Sequence, residues 1–284
     1  MKKTVLLSML IVTSILNAQE RPKLVVGIVV DQMKMEYLYR FSDDFSANGF
    51  KRIIDNGYSF ENMHFNYMPT YTGPGHSSIY TGTTPSIHGI VGNDWFNRST
   101  GKEMYCTDDA SVHTIGDGKP DEGEMSPKNL QTTTITDELR MQTNFKGKVL
   151  GISLKDRGAI LPAGHFANWA FWYSNTGAFI SSSFYGEKLP EWVSKFNNEK
   201  HYMPYINKGW DLFKPISTYD NSLQDNNPYE GKLYGSSAPV FPYNLKEMYE
   251  KNGASIIRST PFGNDLLAEF AMQTINNEEL GKDN

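Results

Sequence analysis

The aliphatic run at residues 23–30 constrains the fold more than any other segment of the chain. Its sequence, KLVVGIVV, is apolar at nearly every position and stops abruptly at Asp31. A strand that is apolar on both faces is typical of the buried parallel strands of α/β proteins, because exposed strands alternate apolar and polar residues. The run therefore predicts a parallel strand buried inside an α/β sheet.

The segments that follow repeat the alternation of strand and helix. The patterns predict a helix over residues 42–56, a second strand over 58–67 and a short helix over 74–80. They also predict a helix over 136–142 and a third buried strand over 148–153. Because β-α-β-α-β order is typical of parallel sheets, we predict an α/β fold with a mostly parallel sheet sandwiched by helices.

Composition divides the chain into four parts. Residues 1–18 combine a charged start with a short apolar run, which is typical of a signal peptide cleaved near Ala18 and is too short for a membrane span. We therefore expect an exported protein, periplasmic or secreted. Residues 19–164 and 258–284 are assigned to the core domain. Residues 165–257, rich in aromatic residues, Gly, Pro and Asn, are predicted to form an insertion or cap.

Two elements are predicted inside the cap region. The run 171–181 indicates a β-hairpin that turns at residues 175–177, where the sequence is Asn-Thr-Gly. Residues 189–197 indicate a short helix with Pro190 in its first turn.

Charge and cysteine content exclude several classes of partner and site. The net charge of −5 provides no basic surface for nucleic acid, and no second membrane segment is evident. Cys106 is the only cysteine, which excludes an internal disulfide framework and a thiolate zinc site. The six histidines form no close pair, so a metal would need carboxylate, imidazole or hydroxyl ligands.

Asp31 and Thr72 are the first candidates for chemistry. Asp31 follows the first predicted strand, and ligands of open α/β sheets bind outside the carboxyl ends of strands. Its carboxylate suits a metal ion, but equally a helix cap or a surface loop. Thr72 stands in the turn PTYTGPGH before a predicted helix, whose free N–H groups favour phosphate. Its hydroxyl needs a base or a metal to become a nucleophile, and it also suits a simple cap.

Three further residues suit an anionic ligand. Asn93, in the sequence GNDW, can donate to an oxyanion or stabilise a turn. Lys155 and Arg157, in SLKDR, follow the third predicted strand and offer a point charge and a planar fork to a phosphoryl group. Both are also compatible with a solvated turn. His76 could be a ligand, but a lone histidine beside a helix start is more often a hydrogen-bonded structural residue.

The order of these motifs resembles the alkaline phosphatase superfamily, which includes the nucleotide pyrophosphatase/phosphodiesterases. The resemblance rests on VVDQM at 29–33, PTYTGPGH at 69–76 and IHGIVGNDW at 87–95. SLKDR at 153–157 and ILPAGH at 160–165 are more narrowly similar to the monomeric, phosphate-irrepressible bacterial alkaline phosphatases. The similarity runs from about residue 22 to residue 275 and implies a monomer with an alkaline phosphatase-like fold.

The resemblance also implies a role for each candidate residue. Asp31 would ligate one of two Zn²⁺ ions, and Thr72 would be the nucleophile, with its alkoxide held by zinc and a phosphothreonine as intermediate. Asn93, Lys155 and Arg157 would bind the non-bridging phosphoryl oxygens. The phosphodiesterases typically lack the Lys-x-Arg pair, so small-molecule phosphate monoesters are the expected substrates.

In one respect the sequence departs from the family pattern. The remaining zinc ligands of the family come from an Asp-x-x-x-His motif, an Asp-His pair and a late histidine, which all belong downstream of Asn284. We therefore expect this chain to be the N-terminal part of a longer protein, with the C-terminal part of the fold missing and no activity alone.

Two other functions remain open from the sequence. A phosphodiesterase or phosphonate hydrolase would use the same scaffold. A non-catalytic exported protein would bind phosphorylated or sugar ligands through the aromatic-rich residues 165–257.

Overall fold

The computed structural model describes residues 22–282, so the predicted signal peptide lies outside the described residues. The α-helices are α1 (Glu36–Arg40), α2 (Phe50–Asn56), α3 (Thr72–Thr81), α4 (Pro85–His88), α5 (Ile135–Gln142), α6 (Asp156–Ala163), α7 (Glu191–Glu199), α8 (Met203–Lys208), α9 (Leu245–Asn252) and α10 (Phe262–Asn277). The strands are β1 (Asp94–Asn97), β2 (Lys102–Tyr105), β3 (Thr114–Ile115), β4 (Leu150–Ser153), β5 (Trp169–Tyr173) and β6 (Phe179–Ser182).

A four-stranded sheet organises the described residues, with the strand order β3-β6-β5-β4. β4 and β5 are parallel, with Leu150 opposite Trp169, whereas β5 pairs with β6 and β6 with β3 in antiparallel orientation. A separate hairpin is formed by β1 and β2. The predicted α/β class is confirmed, and the described sheet is mixed, with one parallel pair.

The unit β4-α6-β5 is a parallel crossover, of which the sequence predicted the first strand but not the helix. The third predicted strand is confirmed as β4, and α6 packs back onto both β4 and β5 before the chain returns in parallel. Gly151 in β4 makes this packing possible, since a Cβ atom there would lie 2.1 Å from the carbonyl oxygen of Ala159 in α6. The crossover leaves Lys155 and Arg157 at the carboxyl end of β4, the edge at which ligands bind in such sheets.

The two faces of the sheet bury different side chains, because neighbouring residues of a strand point to opposite sides. Phe171 and Phe179 lie on one side, where α7 and α10 cover them, and the ring of Phe179 stacks on that of Phe270 with centroids 3.8 Å apart. On the other side Ala170 and Trp172 pack against Ala159 and its neighbours in α6. The alanines on that second side allow α6 to lie close to the sheet.

Other predictions for the central part of the chain are also confirmed. The predicted hairpin is β5-β6, in which the Ser174 N–H donates to the Ala178 carbonyl at 2.8 Å and Gly177 has a φ of 98°. The predicted helices at 74–80, 136–142 and 189–197 correspond to α3, α5 and α7. Pro190 is the N-cap of α7 instead of a residue of its first turn.

The prediction of a buried strand at residues 23–30 is wrong for the described structure. The segment forms no strand, and its side chains Leu24, Val25, Val26, Ile28 and Val30 are 40–76% exposed. An apolar pattern expresses a tendency to be covered, but a strand exists only where a neighbouring strand supplies hydrogen bonds. No strand of residues 22–282 pairs with this segment.

Two other predictions for the N-terminal region need correction. Residues 58–67 form no strand, and Tyr58 and Phe60 are exposed, so β propensity without a partner strand did not produce one. The helix predicted over 42–56 is reduced to a 3₁₀ turn at Ser42–Asp44 and to α2, which begins after Gly49. Glycine is a poor helix former, and here it is the N-cap of α2.

The division into a core domain and a cap at residues 165–257 stays a prediction. Strands from both sides of residue 165 pair with each other, since β4 and β5 are neighbours in one sheet. Within residues 22–282, no helix has both the length and the apolar character needed to cross a bilayer.

Substitution of Gly151 by alanine tests the close contact between β4 and α6. The new Cβ would overlap a backbone carbonyl that no rotamer change can move, so we expect the free energy of unfolding to fall by at least about 2 kcal/mol. Gly231→Ala is the matched control, because the space around Gly231 is open, and it should change stability by less than about 0.5 kcal/mol. Urea unfolding of both variants measures the difference, and equal stabilities would contradict the packing described here.

Candidate active site

Thr72 is the first residue of α3 and lies against Asp31. The hydroxyl Oγ1 of Thr72 donates to Oδ2 of Asp31 at 2.9 Å. The other carboxylate oxygen, Oδ1, accepts the N–H of Gln32 at 3.1 Å, in a turn where Gln32 has a φ of 58°. The structure thus brings together two predicted site residues that are 41 positions apart, although the strand predicted before Asp31 is not formed.

Asn93 joins the same helix terminus from a different segment. Its side-chain oxygen Oδ1 accepts the N–H of Gly73 at 2.8 Å, and its backbone carbonyl accepts the N–H of Cys106 at 2.8 Å. Because an N–H group must face an amide oxygen, the first bond determines the orientation of the Asn93 amide. Its NH₂ group is left as a donor beside the start of α3.

Lys155 and Arg157 both stand at the start of α6. Arg157 Nη1 donates to the Tyr105 hydroxyl at 2.8 Å, and that hydroxyl donates to Oδ1 of Asp156 at 2.5 Å. The backbone N–H of Arg157 also donates to Oδ1 of Asp156. Burial raises the pKa of the Asp156 carboxyl, while the bonds from Tyr105 and Arg157 act in the opposite direction. Lys155 is the N-cap of α6, and its side chain is exposed.

His76 lies near these residues and makes a hydrogen bond within α3. Its Nδ1 donates to the carbonyl oxygen of Thr72 at 2.9 Å, one turn back in α3. Burial lowers the pKa of His76, whereas the Thr72 carbonyl and the charge of Asp31 raise it, and the charge of Arg157 lowers it. Both charges act on this one imidazole, so Asp31 and Arg157 both lie near His76.

A network of hydrogen bonds on the buried side of α3 holds this helix in place. The N–H of Ile90 donates to Nδ1 of His88 at 3.2 Å, so the proton of the neutral ring lies on Nε2, which is 3.0 Å from Ser78 Oγ. The Tyr67 hydroxyl lies 2.8 Å from Ser78 Oγ and 3.0 Å from the Pro74 carbonyl. This hydrogen-bond network connects the loop before α3, α3 itself and α4. His88 is fully buried, and burial lowers its pKa to about 4.

Tyr105 and His88 are the residues of this site that the sequence did not reveal. Tyr105 lies in β2, far along the chain from Arg157, and no motif surrounds it. His88 occurs inside a quoted motif, but nothing in its neighbourhood predicts that Ser78 and Tyr67 will contact it. These contacts form only because folding brings together segments that are separated in the sequence. No local pattern could therefore have identified them.

The side chains of the described residues can be compared with the ligands that a zinc ion requires. Carboxylate and hydroxyl oxygens such as those of Asp31 and Thr72 suit zinc, but a zinc site uses three or four protein ligands. Between residues 22 and 282 there is no cluster of three or more His, Cys, Asp or Glu side chains that could hold an ion. Asp31 and Thr72 therefore fit as two ligands of a larger set.

Comparison with known families decides which family this site belongs to. A model of the type I phosphodiesterase/nucleotide pyrophosphatase family matches residues 25–240, which include Asp31, Thr72, Asn93, Lys155 and Arg157. The chain belongs to this family. The predicted membership of the alkaline phosphatase superfamily is thereby confirmed.

Relatives within the family include two bacterial alkaline phosphatases. The chain is 47% identical to the phosphatase PafA of Elizabethkingia meningoseptica over 98% of its own length and 52% of that protein. It is 50% identical to PhoV of Synechococcus elongatus over 92% of its length and 48% of that protein. A Myroides odoratus protein named as a calcium-transporting ATPase is 52% identical over 92% of this chain. The chain spans about half the length of these relatives.

Solved structures of family members have the same fold. The crystal structure of wild-type PafA superimposes with a TM-score of 0.91 at 47% identity, over 94% of this chain and 52% of that one. A PafA variant with a substituted threonine, asparagine, lysine and arginine gives the same TM-score at 46% identity. The expected alkaline phosphatase-like α/β fold is confirmed.

Gly73→Ala tests whether the start of α3 holds Asn93. A Cβ at Gly73 would lie 3.1 Å from the Gly92 carbonyl oxygen, 3.3 Å from Asn93 Oδ1 and 3.4 Å from Cys106 Sγ. We expect the variant to displace the Asn93 amide and to lose about 1 kcal/mol or more of stability. NMR resonances of the Asn93 NH₂ group and thermal unfolding measure the two effects.

Gly75→Ala is the matched control in the same helix. No atom lies within 4 Å of a Cβ at Gly75, so alanine should leave the Asn93 resonances unchanged. It should also stabilise the helix by up to about 1 kcal/mol, since alanine is the better helix former. Identical resonance shifts in both variants would contradict the assigned contact.

The low pKa of His88 predicts a loss of stability in acid. The folded-state pKa of about 4 lies below the ordinary value of 6.5, so the unfolded chain binds more protons between these pH values. The neutral His88 ring makes its full contribution to the free energy of unfolding above about pH 6.5. That free energy decreases by about 2–3 kcal/mol as the pH falls to 4. Urea unfolding at pH 7 and pH 4 measures this loss. Glutamine cannot titrate, so between these pH values His88→Gln should lose about 2–3 kcal/mol less unfolding free energy than the unmodified chain. An equal loss in both proteins would contradict the assignment.

Proposed function

We propose that this chain carries the nucleophile and the phosphoryl-binding residues of a zinc-dependent phosphomonoesterase that acts through a phosphothreonine. The observation that carries the proposal is the convergence at the start of α3. Asp31, Thr72, Asn93 and Arg157 come from four separate segments, and each has a hydrogen bond or a charge directed at that helix terminus or its His76. A helix N-terminus with adjacent donors and a hydroxyl is chemically suited to a phosphate ester.

The proposed roles follow from the chemistry of each group. Thr72 Oγ1 attacks phosphorus and forms the phosphothreonine as the ester P–O bond breaks, and the alcohol leaves after taking a proton from water. The proton of Thr72 leaves towards Asp31, which accepts the hydroxyl hydrogen bond in the structure. The Asn93 NH₂ group and the cations of Lys155 and Arg157 bind the non-bridging oxygens, where negative charge remains throughout the transfer. Water then attacks the same phosphorus and releases phosphate.

Asp31 and Thr72 would hold a zinc ion through their oxygens. Zinc at this position would lower the pKa of the Thr72 hydroxyl and offset the charge of the phosphoryl group. Because the described residues supply only these two ligands, we propose that the other ligands of a site with two Zn²⁺ ions come from elsewhere. The 284-residue chain alone is then expected to be inactive.

The four-residue PafA variant supports the choice of site residues. Its substituted threonine, asparagine, lysine and arginine have the same order and the same spacing as Thr72, Asn93, Lys155 and Arg157. The alkaline phosphatase names of PafA and PhoV support a phosphomonoesterase. The proposal also includes a monomer that is exported after cleavage near Ala18.

A phosphodiesterase is the second candidate, because the matching family model is named for diesters. The charge of the site favours monoesters. A phosphate monoester dianion has more negative charge on its non-bridging oxygens than a diester, and Lys155 and Arg157 add two positive charges to the start of α6.

The first test asks whether Thr72 is a nucleophile. We expect a chimera of this chain with the remaining part of PafA to hydrolyse p-nitrophenyl phosphate when zinc is added. Thr72→Ala should reduce kcat by at least about 1,000-fold, because the covalent route is lost. The isolated chain should show no turnover. Zinc-dependent turnover by the isolated chain would overturn the claim of an incomplete site, and an active Thr72→Ala chimera would overturn the nucleophile.

The second test separates monoesters from diesters. In the same chimera, Lys155→Ala and Arg157→Ala should each lower kcat/KM for p-nitrophenyl phosphate by about 100-fold or more. For bis-p-nitrophenyl phosphate the loss should be less than about tenfold, since a diester presents less charge to these cations. Equal losses for the two substrates would favour the phosphodiesterase. If the chimera without substitutions binds phosphate tightly but shows no turnover, the alternative of a non-catalytic binding protein is favoured.

A further inference from the structure

Arg157 has two polar neighbours, and only one of them is in direct contact with its guanidinium. The Tyr105 hydroxyl accepts from Arg157 Nη1 at 2.8 Å and donates to Asp156 Oδ1 at 2.5 Å. The ion pairs among residues 22–282 do not include one between Arg157 and Asp156, although the two are adjacent in sequence. The phenol hydroxyl therefore stands between a cation and the nearest carboxylate.

The alternative arrangement is chemically favourable. Arginine and carboxylate groups form strong bidentate pairs, and the Asp156 carboxylate is largely enclosed, so it needs every donor available. Without the Tyr105 hydroxyl, Asp156 Oδ1 would lose a donor and Arg157 Nη1 would lose its acceptor. A rotation of the guanidinium onto the carboxylate would satisfy both groups and would remove the cation from the start of α3.

The position of Tyr105 suits a separating role. It is the last residue of β2, and the hairpin β1-β2 starts just after Asn93, so one short segment contributes both residues to the site. The Arg157 guanidinium also lies over the Tyr105 ring, with 5.8 Å between its central carbon and the ring centroid. The ring supports the cation and the hydroxyl supplies an acceptor in place of Asp156.

We propose that Tyr105 is a positioning residue that keeps the Arg157 guanidinium away from Asp156 and available to a phosphoryl oxygen. The inference rests on the proposed function, because it assumes that Arg157 binds that oxygen. It adds that the affinity of the site for phosphate depends on a residue with no contact to the ligand.

The test uses the whole 284-residue chain, with inorganic phosphate as the probe and NMR chemical shifts as the measurement. Tyr105→Phe should raise the Kd for phosphate about tenfold, because the Arg157 contact is lost. The double variant Tyr105→Phe with Asp156→Asn should return to within about threefold of the unmodified chain, since the amide does not attract the cation. Restoration by a second substitution distinguishes withdrawal of Arg157 from general damage to the fold.

Tyr173→Phe is the matched control for loss of a buried hydroxyl. Tyr173 is in the core and its hydroxyl has no hydrogen-bond partner in the described structure, so the substitution should not change phosphate binding. A Tyr105→Phe variant with unchanged affinity would overturn the proposal. An equal loss in the single and double variants would also overturn it, because that outcome means a purely structural role.

A crystal structure of Tyr105→Phe decides the proposal separately from the proposed function. The expected result is a guanidinium–carboxylate contact within 4 Å between Arg157 and Asp156. If the unmodified chain binds no phosphate but this contact forms, the positioning role stands and the phosphate site fails. An unmoved Arg157 overturns the positioning role whatever the chain binds.

Discussion

The packing of α3 against α6 is the contact on which the site depends. The two helices contact each other, and residues 73–78 of α3 are all buried, with glycine at positions 73 and 75 and serine at 77 and 78. Small side chains allow two helices to lie close together. Helix N-termini carry partial positive charge, so the start of α3 and the cations at the start of α6 suit the phosphoryl group of the proposed function.

Three side chains of the candidate site are held by hydrogen bonds that leave another of their polar groups available to a ligand. The Asn93 side-chain oxygen accepts the Gly73 N–H, which leaves the NH₂ group of Asn93 as a donor. The Thr72 hydroxyl donates a hydrogen bond to Asp31 and keeps its oxygen lone pairs. Arg157 uses one nitrogen on Tyr105, while its Nε is buried without a partner in the described structure. Groups that are already oriented lose little entropy on binding, which is the physical basis of electrostatic preorganisation.

The accuracy of the sequence-based predictions depended on how local each interaction is. The hairpin β5-β6 was predictable because its turn at residues 175–177 and its two strands are adjacent in the chain. The strand β4 was predicted from its own apolar residues, and its partner β5 follows within one short stretch, but the crossover helix and the parallel pairing with β5 were not predicted. The strand predicted at 23–30 failed because its apolar pattern specifies burial but not the strand that would pair with it. The long helix predicted at 42–56 failed because Gly49 separates its two halves.

The sequence by itself determined the family and the identity of the chemical groups. The motifs around Asp31, Thr72, Asn93, Lys155 and Arg157 could be recognised because each is a short run of residue types in a specific order. Only the tertiary structure decided how these groups are oriented, through contacts between segments far apart in the chain. Tyr105, His88 and Asp156 act on the site through such contacts. Their hydrogen bonds require distances of about 3 Å between atoms, and the spacing of residues along the sequence does not determine these distances.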